Sequence, residues 1–101
     1  MTKKYKSLQQ LFRAESRWTQ CAYARDKYGK EVAILSKKAV CFCLSGGIIL
    51  IYPGSKGNDV TDRLINALNR RRSKYHSFTY YNDRIDVTIN DIRSLVKEAG
   101  V

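Results

Sequence analysis

The segment from Ala39 to Tyr52 constrains the fold most, because it is apolar throughout except for Ser45, Gly46 and Gly47. It is well short of the roughly 20 residues that cross a hydrocarbon core, so the rest of the chain has to bury it. Ser36 is placed to cap a helix that runs through Lys37 and Lys38 into this segment as far as Ile51, covered over most of its circumference. Ile48, Ile49, Leu50 and Ile51 suit a buried strand equally well, and in that reading the helix ends near Gly46 or Gly47. Apolar surface beyond what one small domain covers would need a second copy, so a homodimer is among the expected arrangements.

A chain of 101 residues with 44% hydrophobic content can supply that cover as one domain, residues 1–101. The same content excludes disordered, collagen-like and low-complexity classes. Met1 to Ser7 lacks the apolar core and cleavage site of a secretory signal, and no segment is long enough to span a membrane. Cys21, Cys41 and Cys43 are odd in number, and two of them sit in the apolar segment as small hydrophobes. A reducing cytoplasm is the expected location.

Tyr5, Leu8, Leu11 and Phe12 recur at helical spacing, which predicts an amphipathic first helix between Lys3 and Glu15. Trp18 to Ala24 reads as a strand, Arg25 to Lys30 as a turn with Gly29 at positive φ, and Glu31 to Leu35 as the returning strand. Pro53 to Asn58 is a loop. Asn58 or Asp59 then caps a third helix with Val60, Leu64, Ala67 and Leu68 on one face, ending near Arg72. Ser77 to Tyr81 alternates toward a short strand closed by a turn at Asn82-Asp83. Thr88-x-x-Asp91 opens a last helix carrying Ile92, Leu95, Val96 and Ala99 inward, with Gly100 at its end. The expected class is α+β, mainly helical, with about four helices and a short β-hairpin or small sheet.

The succession Trp18-Thr19-Gln20, Ala24-Arg25-Asp26, Ala39-x-x-Phe42-Cys43-x-x-Gly46-Gly47, Tyr81-Asn82-Asp83 and Thr88-x-x-Asp91-Ile92-x-x-Leu95 resembles the family called domain of unknown function 6197. The resemblance covers nearly the whole chain and implies a bacterial or phage context without an assigned activity. Members of that family usually carry Trp where this chain has Phe42 and Tyr81, and Ala where it has Gly47. These are exchanges between core residues that leave the fold intact.

The strongest functional signal is charge: 19 Lys and Arg against 9 Asp and Glu give a net charge of +10. Arg70, Arg71, Arg72 and Lys74 form the densest cluster, with Tyr75, His76, Phe78, Tyr80 and Tyr81 behind it. Lys3, Lys4 and Lys6, joined by Arg13 and Arg17, form a second basic segment. Cations beside aromatics suit a phosphate backbone and its exposed bases, so these residues are the expected nucleic-acid contacts. The competing reading is that Arg70 to Arg72 complement the negative end of the third helix. No groove-reading motif is present, so binding should be phosphate-driven and salt-sensitive.

Cys43, His76 and Asn82 or Asp83 include the residue types of a thiol nucleophile, its base and an orienting group. Cys43 lies where a thiolate is disfavoured and no local nucleophile signature surrounds it, so no catalytic residue is expected. Cys41-x-Cys43 lacks zinc-knuckle spacing, and neither a metal nor a cofactor is expected. Gly54 to Asn58 reads as a connector rather than a phosphate cradle. Trp18, Arg25, Asp26, Cys43, Asn82 and Asp83 are read as structural, with Asp26 accepting turn amides and Arg25 pairing with Asp83. The sequence thus points to a non-enzymatic accessory or regulatory protein of bacterial or phage type that binds nucleic acid, nucleoprotein or another polyanion. The alternative is a phage-encoded inhibitor that presents a basic face to an acidic host or defence protein.

Overall fold

Ser7 is extended at φ −157°, and its side chain accepts the Gln10 amide to start α1 (Leu8–Leu11). The computed structural model describes residues 5–71 and 78–101. Leu8, Leu11 and Phe12 are fully buried here, but the helix is one turn and not the span from Lys3 to Glu15 that the periodicity suggested. The Arg17 guanidinium explains the stop: Nε donates to Leu11 O at 2.6 Å and Nη2 to Gln10 O at 3.0 Å, satisfying carbonyls that a longer helix would have used. A 3₁₀ turn over Glu15–Arg17 follows.

β1 (Ala24–Arg25) pairs antiparallel with β2 (Cys41–Phe42), Ala24 opposite Phe42 and Arg25 opposite Cys41. The expected return strand at Glu31 to Leu35 reduces to a single bridge between Arg25 and Glu31, so the hairpin partner comes from further along the chain. The turn between them is built as read: Asp26 Oδ1 accepts the amides of Tyr28 and Lys30, each at 2.9 Å, and Gly29 sits at φ 82°.

The central apolar segment is strand first and helix second, so it is neither one continuous helix from Ser36 to Ile51 nor a helix that gives way to a strand near Gly46 or Gly47. Ser36 caps no helix; its hydroxyl accepts the Lys38 amide in a local turn, Cys41–Phe42 is strand, and the helix α2 (Leu44–Ile51) begins after it. Cys43 is the N-cap, its Sγ accepting the Gly46 amide at 3.3 Å. Gly46 and Gly47 lie inside the helix because they let it press close. A Cβ on Gly46 would overlap the Tyr23 carbonyl, and one on Gly47 would meet Leu8 Cδ2 at 2.9 Å.

α3 (Ser55–Arg70) starts at Ser55, three residues before the expected cap at Asn58, with Gly54 at φ 76° as its N-cap. Its buried Val60, Leu64, Ala67 and Leu68 face α5 (Ile89–Ala99), which presents Ile92, Leu95 and Val96. α5 opens with a complete Thr88–Asp91 capping box and closes at Gly100, φ 73°. Between them α4 (Phe78–Asn82) is helical where a strand was expected. Tyr80 is exposed while Tyr81 and Asn82 both turn inward, and two adjacent inward residues break the two-residue alternation of a strand. The result is an α+β, mostly helical domain with a two-stranded antiparallel sheet.

Candidate functional site

Asn82 is the one fully buried polar side chain among the described residues, and it holds the small β element to the helices. Its Oδ1 accepts from Trp18 Nε1 at 2.8 Å and from the Leu44 amide at 3.1 Å, while Nδ2 donates to Thr19 O at 3.1 Å. Gln20 Nε2 reaches Asn82 O at 2.9 Å and Arg84 O at 2.7 Å. Asp83 Oδ1 accepts the amide of Cys21, a residue at φ 62°, at 2.8 Å. Asn82 and Asp83 therefore do more than close a turn; they anchor a loop more than sixty residues away.

The expected Arg25–Asp83 pair is not formed. Arg25 turns the other way, donating to Thr19 Oγ1 at 3.1 Å, Gly29 O at 3.0 Å and Gln20 O at 3.4 Å. Thr19 and Gln20 are thus gripped by Asn82 on one side and by Arg25 on the other. Arg25 lines a groove of about 1150 Å³ bordered by the segment 26–40. Buried Phe42 and Ile51 and half-buried Ile34, Ala39 and Leu50 give the groove an apolar floor. Arg17, Arg25, Lys27 and Lys37 supply positive charge along it, against one carboxylate, Asp26.

Outside this groove some cations are tied to acids, while Arg93 donates to Phe12 O, Arg13 O and Asn90 Oδ1, and Lys6, Arg13, Lys56 and Lys97 form no ion pair among the described residues. Arg63 pairs with Asp59, Arg84 with Asp86, and Arg70 and Arg71 share Glu98 at 3.2 and 3.0 Å. Arg17 and Arg25 donate to neutral oxygens, which satisfy the donors without cancelling the charge. Among the described residues Lys27 and Lys37 form no ion pair, and neither do their exposed neighbours Lys30 and Lys38. Groove-lining cations make both cation–aromatic pairs of the described residues: Arg17 lies 4.9 Å from the ring of Tyr5, which also lines the groove, and Lys27 5.1 Å from the ring of Tyr28, which does not.

The residues that the sequence singled out for phosphate contact fall differently. Arg70 and Arg71 bridge the end of α3 to α5 through Glu98, and Arg71 also donates to Ser94 Oγ at 2.9 Å. Lys6 is exposed beside α1. Lys3, Lys4, Arg72 and Lys74 lie outside the described residues, as does His76. Lys27, Lys30, Lys37 and Lys38 were not singled out, although Lys27-Tyr28-Gly29-Lys30 already interleaves cations with an aromatic.

Cys43 is buried, and its thiol is pushed up by that burial, against the opposing pull of the Gly46 and Ser45 amides. It acts as a helix cap. No group of three or more His, Cys, Asp or Glu among the described residues is placed to hold a metal ion. No helix of the described residues is long and apolar enough to cross a membrane. A smaller hollow of about 320 Å³ lies where Tyr52, Pro53 and Gly54 join α2 to α3. There a Cβ on Gly57 would meet the Tyr52 carbonyl at 2.6 Å, so the glycine sets the close approach of the two helices.

Residues 6–100 match the model of the Family of unknown function (DUF6197), and the chain belongs to that family. Comparison with curated proteins and with solved structures gave no match. The residues behind the resemblance have a physical role in this fold: Trp18, Thr19, Gln20, Asn82 and Asp83 form one hydrogen-bonded latch. Phe42, Gly47 and Tyr81 all pack in or against the core.

Proposed function

We propose that this protein is a non-enzymatic accessory or regulatory protein of bacterial or phage type that binds nucleic acid or nucleoprotein through its basic groove. One observation carries the reading: Arg17, Arg25, Lys27 and Lys37 line a single groove and form no ion pair among the described residues, whereas Arg63 and Arg84 each pair with an acid and Arg70 and Arg71 share one. Charge left unneutralised on one face attracts a phosphate backbone by releasing its counterions. The two turn amides hold the Asp26 carboxylate without cancelling its charge, so the groove sets four cations against one carboxylate.

The experiment is a titration of labelled DNA and RNA oligonucleotides with nuclease-treated protein at two salt concentrations. Binding should weaken as salt rises, by a log–log slope of about 0.7 for each single-strand phosphate neutralised, and should be lost in a Lys27→Glu/Lys37→Glu double variant. Absence of binding at low salt contradicts the proposal. A second reading, an inhibitor that docks on an acidic protein, is favoured by Leu35 and Val40, which stand 61% and 44% exposed at the groove. Its sign would be a stoichiometric protein partner that survives nuclease treatment.

A further inference from the structure

We infer that the groove takes single-stranded nucleic acid in preference to duplex, an inference that rests on the nucleic-acid reading and specifies its ligand. The apolar floor is the first reason. A duplex presents phosphates outward with its bases stacked inside, so it can touch Lys27 and Lys37 while leaving Ile34, Ala39 and Leu50 wet. A single strand satisfies both surfaces at once, with its phosphates on the cations and its unstacked bases against the floor and the aromatic rings.

The second reason is the placement of the aromatics. Tyr5 lines the groove with the Arg17 guanidinium over its ring, and Tyr28, 82% exposed and next in sequence to the groove-lining Lys27, carries the Lys27 ammonium over its ring. Each pair sets a π-face beside a positive charge, which matches the alternation of base and phosphate along a strand. Tyr28 makes no described core contact, so its exposure is not explained by packing.

The test measures anisotropy of a labelled twelve-nucleotide single strand and of its duplex, with wild type, Tyr28→Ala, Tyr28→Phe and Lys27→Glu/Lys37→Glu. Single strand should bind at least about tenfold more tightly than duplex. Tyr28→Ala should weaken single-strand binding by about 5- to 150-fold, the equivalent of about 1–3 kcal/mol for one stacked base, and leave duplex binding unchanged. Tyr28→Phe should keep wild-type affinity, and the lysine double variant should lose both ligands. Equal binding of the two forms with Tyr28→Ala silent overturns the single-strand inference and leaves the nucleic-acid reading standing. Failure to bind either form overturns that reading itself.

Discussion

At the scale of single residues the account turns on Asn82 and the paired glycines. Truncating Asn82 to Ala leaves the Trp18 indole N–H, the Leu44 amide and the Thr19 carbonyl without their partner. At about 1 kcal/mol or more for each buried group left unsatisfied, the loss should be about 3 kcal/mol. Asp83→Ala removes the acceptor of the exposed Cys21 amide and of one Asn82 Nδ2 bond, a donor that keeps Thr19 O, and should cost about 1 kcal/mol. Urea unfolding at constant m-value checks both, and equal costs for the two variants would contradict the latch. Gly46→Ala should be the harsher glycine variant, at about 3 kcal/mol, because the atom in its way is the Tyr23 backbone carbonyl and cannot rotate aside. Gly47→Ala meets only the ends of the Leu8, Leu11 and Phe12 side chains, and the better helix propensity of Ala should hold its net effect within about 1 kcal/mol.

Among the elements, α3 and α5 show how charge is spent on structure. Glu98 loses some hydration at the junction, which raises its carboxyl, but the hydrogen bonds and charges of Arg71 and Arg70 outweigh this and hold it below the ordinary glutamate value. A depressed carboxyl stabilises the fold above its unfolded value, and that contribution disappears as pH falls through the folded one. The acid-side fall in melting temperature between about pH 5 and about pH 3 should therefore be shallower in Glu98→Gln. An identical fall in the variant would show that the bridge contributes nothing. The amphipathic patterns of α3 and α5 were legible in the sequence because buried residues recur there at helical spacing, and the Thr88–Asp91 capping box marks the start of α5. The Ala39–Tyr52 segment was not, since uniform apolarity carries no period and its glycines read as breakers when they serve close contact. α4 was misread because alternation over five residues is weak evidence against a single hydrogen-bonded anchor such as Asn82. The candidate site was legible as net charge and as the Lys27-Tyr28-Gly29-Lys30 run, but some of the pairings that decide which cations an acid holds lie far apart in sequence, as Glu98 is from Arg70 and Arg71.

Over the whole molecule, positive charge is unevenly neutralised, and four of the cations without an ion pair among the described residues line the one groove bordered by residues 26–40. The Asn82 latch fixes Thr19 and Gln20, these fix Arg25, and the β1–β2 pair sets Cys41 and Phe42 in the groove wall. A scaffold that is mostly helix thus presents a short, rigid β element with a cationic rim, which is how it would engage an anionic strand. Amide chemical-shift mapping on the isotopically labelled protein, titrated with a single-stranded oligonucleotide, tests this most directly. The account predicts saturable shifts at Lys27, Gly29, Lys37 and Val40, with Arg63 and Ser94 unmoved. Shifts concentrated instead around Arg70, Arg71 and Ser94, or none at low salt, would contradict it.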